Sequence, residues 1–197
     1  MHHHRSEIIN HYIKKYDLKS YLEIGTRKRS DNYDRINAQD KLCIDPNPEA
    51  KADLVLTSDE FFKINNKKFD IVFIDGLHEA HQVYKDILNS IKNLNPKGII
   101  LCHDINPHEI KNGYDFEEYE NAGVWNGDCW KGFVKYRFQS DYECFCIPEV
   151  QADIGIIDTN IKSTLDKKIQ INIGELTYKD LEENRNLFLN FKDINII

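Results

Sequence analysis

Four carboxylates stand at or near the ends of strand-like runs in this chain: Glu23, Asp45, Asp75 and Asp104. In an open parallel sheet, ligands collect at the carboxyl ends of the strands, where the strand order reverses. Acidic residues also end strands because they start turns and cap helices. One such residue would say little; four along one edge point to a site. Two imidazoles accompany them, His78 three residues beyond Asp75 and His103 directly before Asp104. If Asp75 and Asp104 end neighbouring strands, ~4.8 Å apart, they could hold Mg²⁺ or Mn²⁺ through oxygen ligands. The candidate metal set is then Asp75, His103 and Asp104, with Asn106 nearby. Neutral imidazole titrates near physiological pH, which makes His78 the best candidate for a general base, with Asp104 and Asp128 as further catalytic candidates. His81 and His108 read as surface residues.

A second spacing is informative. Asp45 lies twenty residues after Gly25, the interval at which an acidic residue ending the second strand reaches ribose hydroxyls in a Rossmann-type site. Gly25 has no Cβ and lets a ligand approach the backbone. The turn reads Gly25-Thr26-Arg27-Lys28-Arg29-Ser30, not G-x-G-x-x-G. The missing glycines count against a dinucleotide pyrophosphate and matter less for a ligand without phosphates.

Alternating β-type and helix-period segments must position these residues, a pattern that implies a parallel sheet covered by helices. Residues 6–16 place Ile9, Tyr12, Ile13 and Tyr16 on one helical face. Strands are expected at 21–25, 41–46, 52–56, 69–74 and 99–102, with a small helix around residues 60–62 between the third and fourth. The run 69–74 is nearly all apolar, as in a strand buried on both faces. A helical stripe of Ala80, Val83, Ile87, Ile91 and Leu94 follows, and Asn95-Pro96-Lys97-Gly98 is expected to break it. From Asn106 to Trp130 periodicity is lost, and so long a segment is expected to be functional, a lid or binding loop. It would bring Asp128 and Trp130 to the sheet edge, where Trp130 serves either a bound ligand or the core. Residues 142–147 and 152–158 are expected to pair as antiparallel strands. Thr177-Tyr178-Lys179-Asp180 forms a capping box opening the last helix.

The 197 residues suit one domain, 1–197, with residues 1–5 a tag or a disordered end, and His2, His3 and His4 outside the site reasoning. The 33 acidic residues outnumber 26 basic ones, which argues against nucleic acid as a partner. No run approaches the ~20 apolar residues of a membrane span, and no secretory leader is evident. Five cysteines without a C-x-x-C pair argue against a disulfide framework or structural zinc and for a reducing cytoplasm. The expected partner is a small molecule, and a homodimer is compatible with the sequence.

With these residues in place, the chain resembles class I S-adenosylmethionine-dependent methyltransferases. The nearest group holds bacterial natural-product and surface-sugar O-methyltransferases and relatives of cephalosporin hydroxylase. The resemblance rests on Tyr21-Leu-Glu-Ile-Gly-Thr26, Cys43-Ile-Asp-Pro46, Thr57-Ser-Asp-Glu-Phe-Phe62, Phe73-Ile-Asp-Gly-Leu-His78 and Asp86-Ile-Leu88. Cys102-His-Asp-Ile-Asn-Pro107, Gly127-Asp-Cys-Trp-Lys131 and Leu181-Glu-Glu-Asn-Arg185 extend it over most of the chain. It implies an α/β, Rossmann-like, mostly parallel seven-stranded sheet whose last strand is antiparallel, with helices on both faces. It also implies a cofactor, S-adenosylmethionine, and methyl transfer to a small acceptor, at a hydroxyl of a sugar or secondary metabolite. Glu23, Gly25 and Thr26 would border the methionine part, Asp45 the ribose, and Thr57 and Ser58 the adenine, with Asp75 also on the cofactor side. The resemblance further implies a metal held by the acid of strand 69–74 and an acidic pair ending the next strand. Here that pair reads His103-Asp104, so one oxygen ligand has become imidazole. Arg29 departs from the small residue usual in the first turn. Two other readings of the same residues stand beside this one: a metal-dependent hydrolase-like enzyme using Asp75, His103 and Asp104, and a non-catalytic ligand-binding domain.

Overall fold

The computed structural model of the chain describes residues 4–109, 125–148, 153–165 and 170–193. In chain order the elements are α1 (Arg5–Tyr16), β1 (Ser20–Ile24), β2 (Asp40–Ile44), α2 (Ser58–Ile64), β3 (Phe69–Ile74) and α3 (Ala80–Lys92). They continue with β4 (Leu94–Cys102), α4 (Cys129–Gln139), β5 (Tyr142–Ile147), β6 (Ile154–Lys162) and α5 (Tyr178–Leu189). The six strands form one sheet in the order β2-β1-β3-β4-β6-β5. β1 to β4 pair in parallel, and β6 inserts antiparallel between β4 and β5. The order reverses between β1 and β3, which is the switch point where open sheets bind ligands.

Side-chain alternation along the strands builds two cores. Leu22, Ile24, Val72, Ile74, Ile100 and Cys102 face α2, α3, α4 and α5. Their odd-numbered neighbours Tyr21, Ile71, Phe73, Ile99 and Leu101 face α1, which contributes Ile8, Ile9, Tyr12 and Ile13. Both faces of the sheet are therefore covered, as expected for strands this apolar. Capping boxes at Thr57 with Glu60 and at Thr177 with Asp180 open α2 and α5, satisfying amide groups that a helix start leaves orphaned.

The structure corrects three expectations. The sheet has six strands among the described residues, not seven, because residues 52–56 make only one bridge, Leu54 against Ile44. The cause is local: the Asp53 carboxylate accepts from the Cys43 amide at 3.0 Å, taking a donor that a strand ladder would use. Leu54 and Val55 are then left exposed. The expected break at Asn95 to Gly98 comes earlier: α3 ends at Lys92, and Leu94, expected on the helical stripe, already pairs with Phe69 in β4, whose residues 95–98 are absorbed by a register shift against β3. The expected 106–130 loop is shorter, since Cys129 and Trp130 already belong to α4. The lid expectation for that loop falls largely on residues 110–124, outside the described residues.

Trp130 is fully buried and stacks on Phe188 of α5 at 6.3 Å between ring centroids. It is a core residue tying α4 to α5. Trp130→Ala should cost about 3–5 kcal/mol of stability, the range for deleting a buried large aromatic, and Trp130→Phe clearly less. Denaturant unfolding midpoints of the two variants check this; an unchanged midpoint for Trp130→Ala would remove Trp130 from the core.

Candidate functional site

Register places the site residues. Ile44, Ile24, Ile74 and Cys102 are aligned partners across β2, β1, β3 and β4. The next residue on each strand is Asp45, Gly25, Asp75 and His103, so these four form a row at the carboxyl edge. Backbone bonds from Gly25 N to Ile44 O, Asp75 N to Ile24 O and His103 N to Ile74 O carry the pairing one step past the strands. Gly25 has φ +83°, and a Cβ there would fall 2.2 Å from the Asp75 carbonyl oxygen. Only glycine permits this approach of the β1 and β3 turns.

Above the row opens a cavity of about 1100 Å³, lined by Gly25, Asp45, Thr57, Ser58, Asp75, His78, His103 and Asp104, with Arg5, Gln82 and Asn126. The Asp45 carboxylate faces it while accepting from the Arg27 and Asn47 amides, both at 2.8 Å. Thr57 and Ser58 line it from the N-terminus of α2, where Gln82 of α3 donates to the Ser58 hydroxyl at 3.1 Å. Gln82 also donates to buried Asp86 at 2.9 Å; burial pushes that carboxyl up to about 6, against the bonds from Ser58 and Gln82.

The densest chemistry surrounds Asp75 and Asp104. His103 Nδ1 lies 3.1 Å from Asp75 Oδ1 and 2.9 Å from Asp104 Oδ2. His78 Nε2 lies 3.4 Å from each of the same two oxygens. Arg5 Nη1 donates to Asp75 Oδ2 at 2.9 Å, and Asn126 donates to Asp104 Oδ1. The alternation that points Phe73 toward α1 also points Asp75 and His103 there, and Arg5 is the first residue of α1. Asp104 takes φ +58°, a left-handed conformation that Asp tolerates better than most residues. Asp75, His78 and Asp104 each offer a ligand atom within 4.8 Å of the others. His103, the expected third member, lies against the same two oxygens.

Charge follows from this geometry. Burial alone would lower the His103 pKa, but the Asp75 and Asp104 carboxylates outweigh it and hold the imidazole at about 10. Burial would likewise raise Asp75, yet His103, then His78 and Arg5, keep its carboxyl far below the usual range. His78 is raised as well, the same two carboxylates outweighing its burial. Its Nδ1 lies 3.3 Å from the Trp125 carbonyl oxygen, and its ring stacks on Trp125.

Three expected residues do not reach the cavity lining. Glu23 is buried on the α1 side, bonded by the Tyr21 hydroxyl and by Asn32 at 2.7 Å; burial pushes it up to about 7. Thr26 is buried beneath the first turn. Asp128 accepts from the Ala80 amide at 2.6 Å and pairs with Lys131 at 3.3 Å, fixing the start of α3 to the start of α4. Sequence reasoning missed Arg5, Gln82 and Asn126. Arg5 was hidden beside the excluded histidines, and the position of Gln82 on the turn of α3 facing α2 was its only signal. His4, also a cavity residue, caps α1 by accepting from the Ser6 amide at 3.2 Å. His108 and His81 are exposed, as expected, although His108 stands at the cavity edge.

Residues 49–105 match the family model of a methyltransferase domain. No curated protein matches the chain significantly. Among solved structures, a Staphylococcus aureus protein classed with caffeoyl-CoA O-methyltransferases is similar at 19% identity and TM-score 0.53, over 77% of this chain and 81% of that one. A Bacillus cereus O-methyltransferase in complex with SAH gives 12% identity and 0.54, over 78% and 80%. A Podospora anserina methyltransferase bound to SAH gives 14% identity and 0.55, over 78% and 77%. The chain has the Rossmann-like methyltransferase fold.

A pKa raised on folding contributes stability that is full below the unfolded value and lost as pH rises through the folded one. For His103 that window runs from 6.5 to about 10. His103→Gln should therefore be destabilised most below pH 6.5, with the gap to the parent narrowing toward pH 10. Thermal unfolding across this range checks it; a gap independent of pH would show that His103 is not charged in the folded protein.

Proposed function

We propose that this chain is an S-adenosylmethionine-dependent methyltransferase acting on a hydroxyl of a small acceptor such as a sugar or secondary metabolite. The observation that carries the reading is Asp45, held by two backbone amides at the cavity wall one strand away from the Gly25–Asp75 crossing. A carboxylate fixed there suits a vicinal ribose diol, and no glycine-rich phosphate cradle accompanies it, as a phosphate-free cofactor requires. The methyltransferase domain match over residues 49–105 agrees with it.

Bound S-adenosylmethionine would supply a methyl group already activated by a positively charged sulfur. The chain has to align donor and acceptor and accept a proton from the hydroxyl. Asp45 holds the ribose, Thr57 and Ser58 with Gln82 flank the base, and Gly25 and Asp75 form the floor. His78 takes the acceptor proton from its place between Asp75, Asp104 and the Trp125 carbonyl, and Asp104 orients its ring. Asp128 acts as a positioning residue, since it ties the helix following His78 to α4. The neighbouring Asp75 and Asp104 carboxylates raise the His78 pKa above its ordinary value, so it becomes a base only as pH rises through that raised value. The five cysteines, buried as free thiols, fit a cytoplasmic protein. Among the described residues no helix is long and apolar enough to cross a membrane.

Calorimetric titration with S-adenosylmethionine tests the reading. Asp45→Ala should weaken binding by ~1.5–3 kcal/mol, the worth of charge-assisted hydrogen bonds, or about tenfold or more. Absence of binding by the parent protein at millimolar cofactor would end the proposal. Once an acceptor is in hand, turnover should climb with pH through the raised His78 pKa, and His78→Ala should remove most of it near neutrality. A flat pH profile would take the base role away from His78.

A further inference from the structure

We infer that the Arg5 guanidinium and the His103 Nδ1–H group occupy the place of a divalent cation, and that this strand edge works without a metal ion. The expected ligand set was Asp75, His103 and Asp104, and its chemistry here does not fit a metal. All four oxygens of the two carboxylates are already engaged by nitrogen. Asp75 Oδ2 accepts from the Arg5 guanidinium at 2.9 Å, and Asp104 Oδ1 accepts from the Asn126 amide. Asp75 Oδ1 and Asp104 Oδ2 share the His103 Nδ1, at 3.1 and 2.9 Å. A nitrogen wedged between two carboxylate oxygens at these distances must carry a proton, because a bare lone pair there would face two negative charges. His103 therefore meets the pair as a donor and not as a ligand. A guanidinium cannot be deprotonated in a protein and has no acceptor, so Arg5 can neither ligate a cation nor cease to repel one.

The remaining ring, His78, lies 3.4 Å from the same two oxygens. It could ligate, but only an ion able to displace His103 and tolerate Arg5. The fold makes both donors integral: Arg5 opens α1, whose apolar face is buried on the sheet, and packs over Phe73 beside His103. The two carboxylates are thus held close together with protein donors against them. They hold His78 and Asn126 toward the cavity, and the acceptor proton leaves through a side chain rather than under Lewis-acid pull. This catalytic consequence rests on the methyl-transfer reading; the metal-binding consequence does not.

Mn²⁺ titration followed by electron paramagnetic resonance, on the full chain near neutral pH without cofactor, separates the two. The parent protein should show no saturable Mn²⁺ site in the micromolar range, and excess chelator should leave its unfolding midpoint unchanged. The Arg5→Ala/His103→Asp double variant removes the cation and replaces the Nδ1–H donor with a ligand; it should bind Mn²⁺ at least tenfold more tightly. Saturable binding by the parent that disappears in Asp75→Asn would overturn the inference. So would a folded double variant, by circular dichroism, that gains no Mn²⁺ affinity. Should the double variant not fold, Arg5→Gln alone provides the test, with tighter Mn²⁺ binding expected and unchanged binding counting against. None of these outcomes depends on whether S-adenosylmethionine binds.

Discussion

Asp75 and Asp104 are brought together because β3 and β4 run in parallel and in register, and that closeness has to be neutralised for the edge to exist. Two like charges about 4 Å apart repel by about 4 kcal/mol at an effective dielectric constant of 20, and both side chains are largely withdrawn from water. The repulsion is met by a permanent cation from α1 and by a proton held on His103. Buried ion pairs of this kind add little net stability, but removing one partner is costly because it strands a charge. The cluster therefore fixes geometry more than it holds the chain folded: each carboxylate oxygen has an assigned nitrogen, and the cavity wall has one arrangement.

Dependence on Arg5 links the site to an element that sequence logic would treat as a cover. α1 packs four apolar side chains on the sheet, and the same face of the helix delivers the guanidinium to the strand edge. Ordering α1 and completing the site are one event. The opposite face contributes differently. There α2 and α3 bring Thr57, Ser58, Gln82 and His78 to the cavity through helix starts and turns, and Asp128 locks the start of α3 to that of α4.

The sheet was legible wherever both faces of a strand are apolar. The run 69–74 matches β3, and the pair 142–147 and 152–158 anticipates the antiparallel insertion. Legibility failed where a side chain replaces a backbone partner. Asp53 takes the Cys43 amide and reduces an expected strand to a single bridge, and an Asp within a short apolar run does not announce that choice. The row Asp45, Gly25, Asp75 and His103 was readable because every member directly follows an apolar strand. The role of His103 was not. A histidine beside an aspartate suits a ligand and a counter-ion equally well, and only Arg5, ninety-eight residues away in sequence, separates the two. Glu23 shows the same limit on the strand itself: alternation places it on the α1 side, yet at its depth Tyr21 and Asn32 satisfy it before any ligand can.

The first turn departs from the usual small residues at Arg29, and the structure gives that residue work away from the ligand. Arg29 pairs with Asp53 at 2.6 Å and lies over the Tyr33 ring at 4.4 Å, and it is not part of the cavity wall. Asp53 in turn accepts from the Tyr33 hydroxyl at 2.8 Å and from the Cys43 amide. Arg29, Tyr33 and Asp53 thus brace the two turns that flank Asp45. The Arg27 amide, two residues earlier, is free to face the Asp45 carboxylate because Arg27 takes φ +52°. A bulky cation in a turn that elsewhere prefers glycine is therefore no obstacle to a small ligand. It holds rigid, by a side-chain pair, a loop that a glycine-rich turn would hold by close packing, and it leaves the space beside Gly25 open.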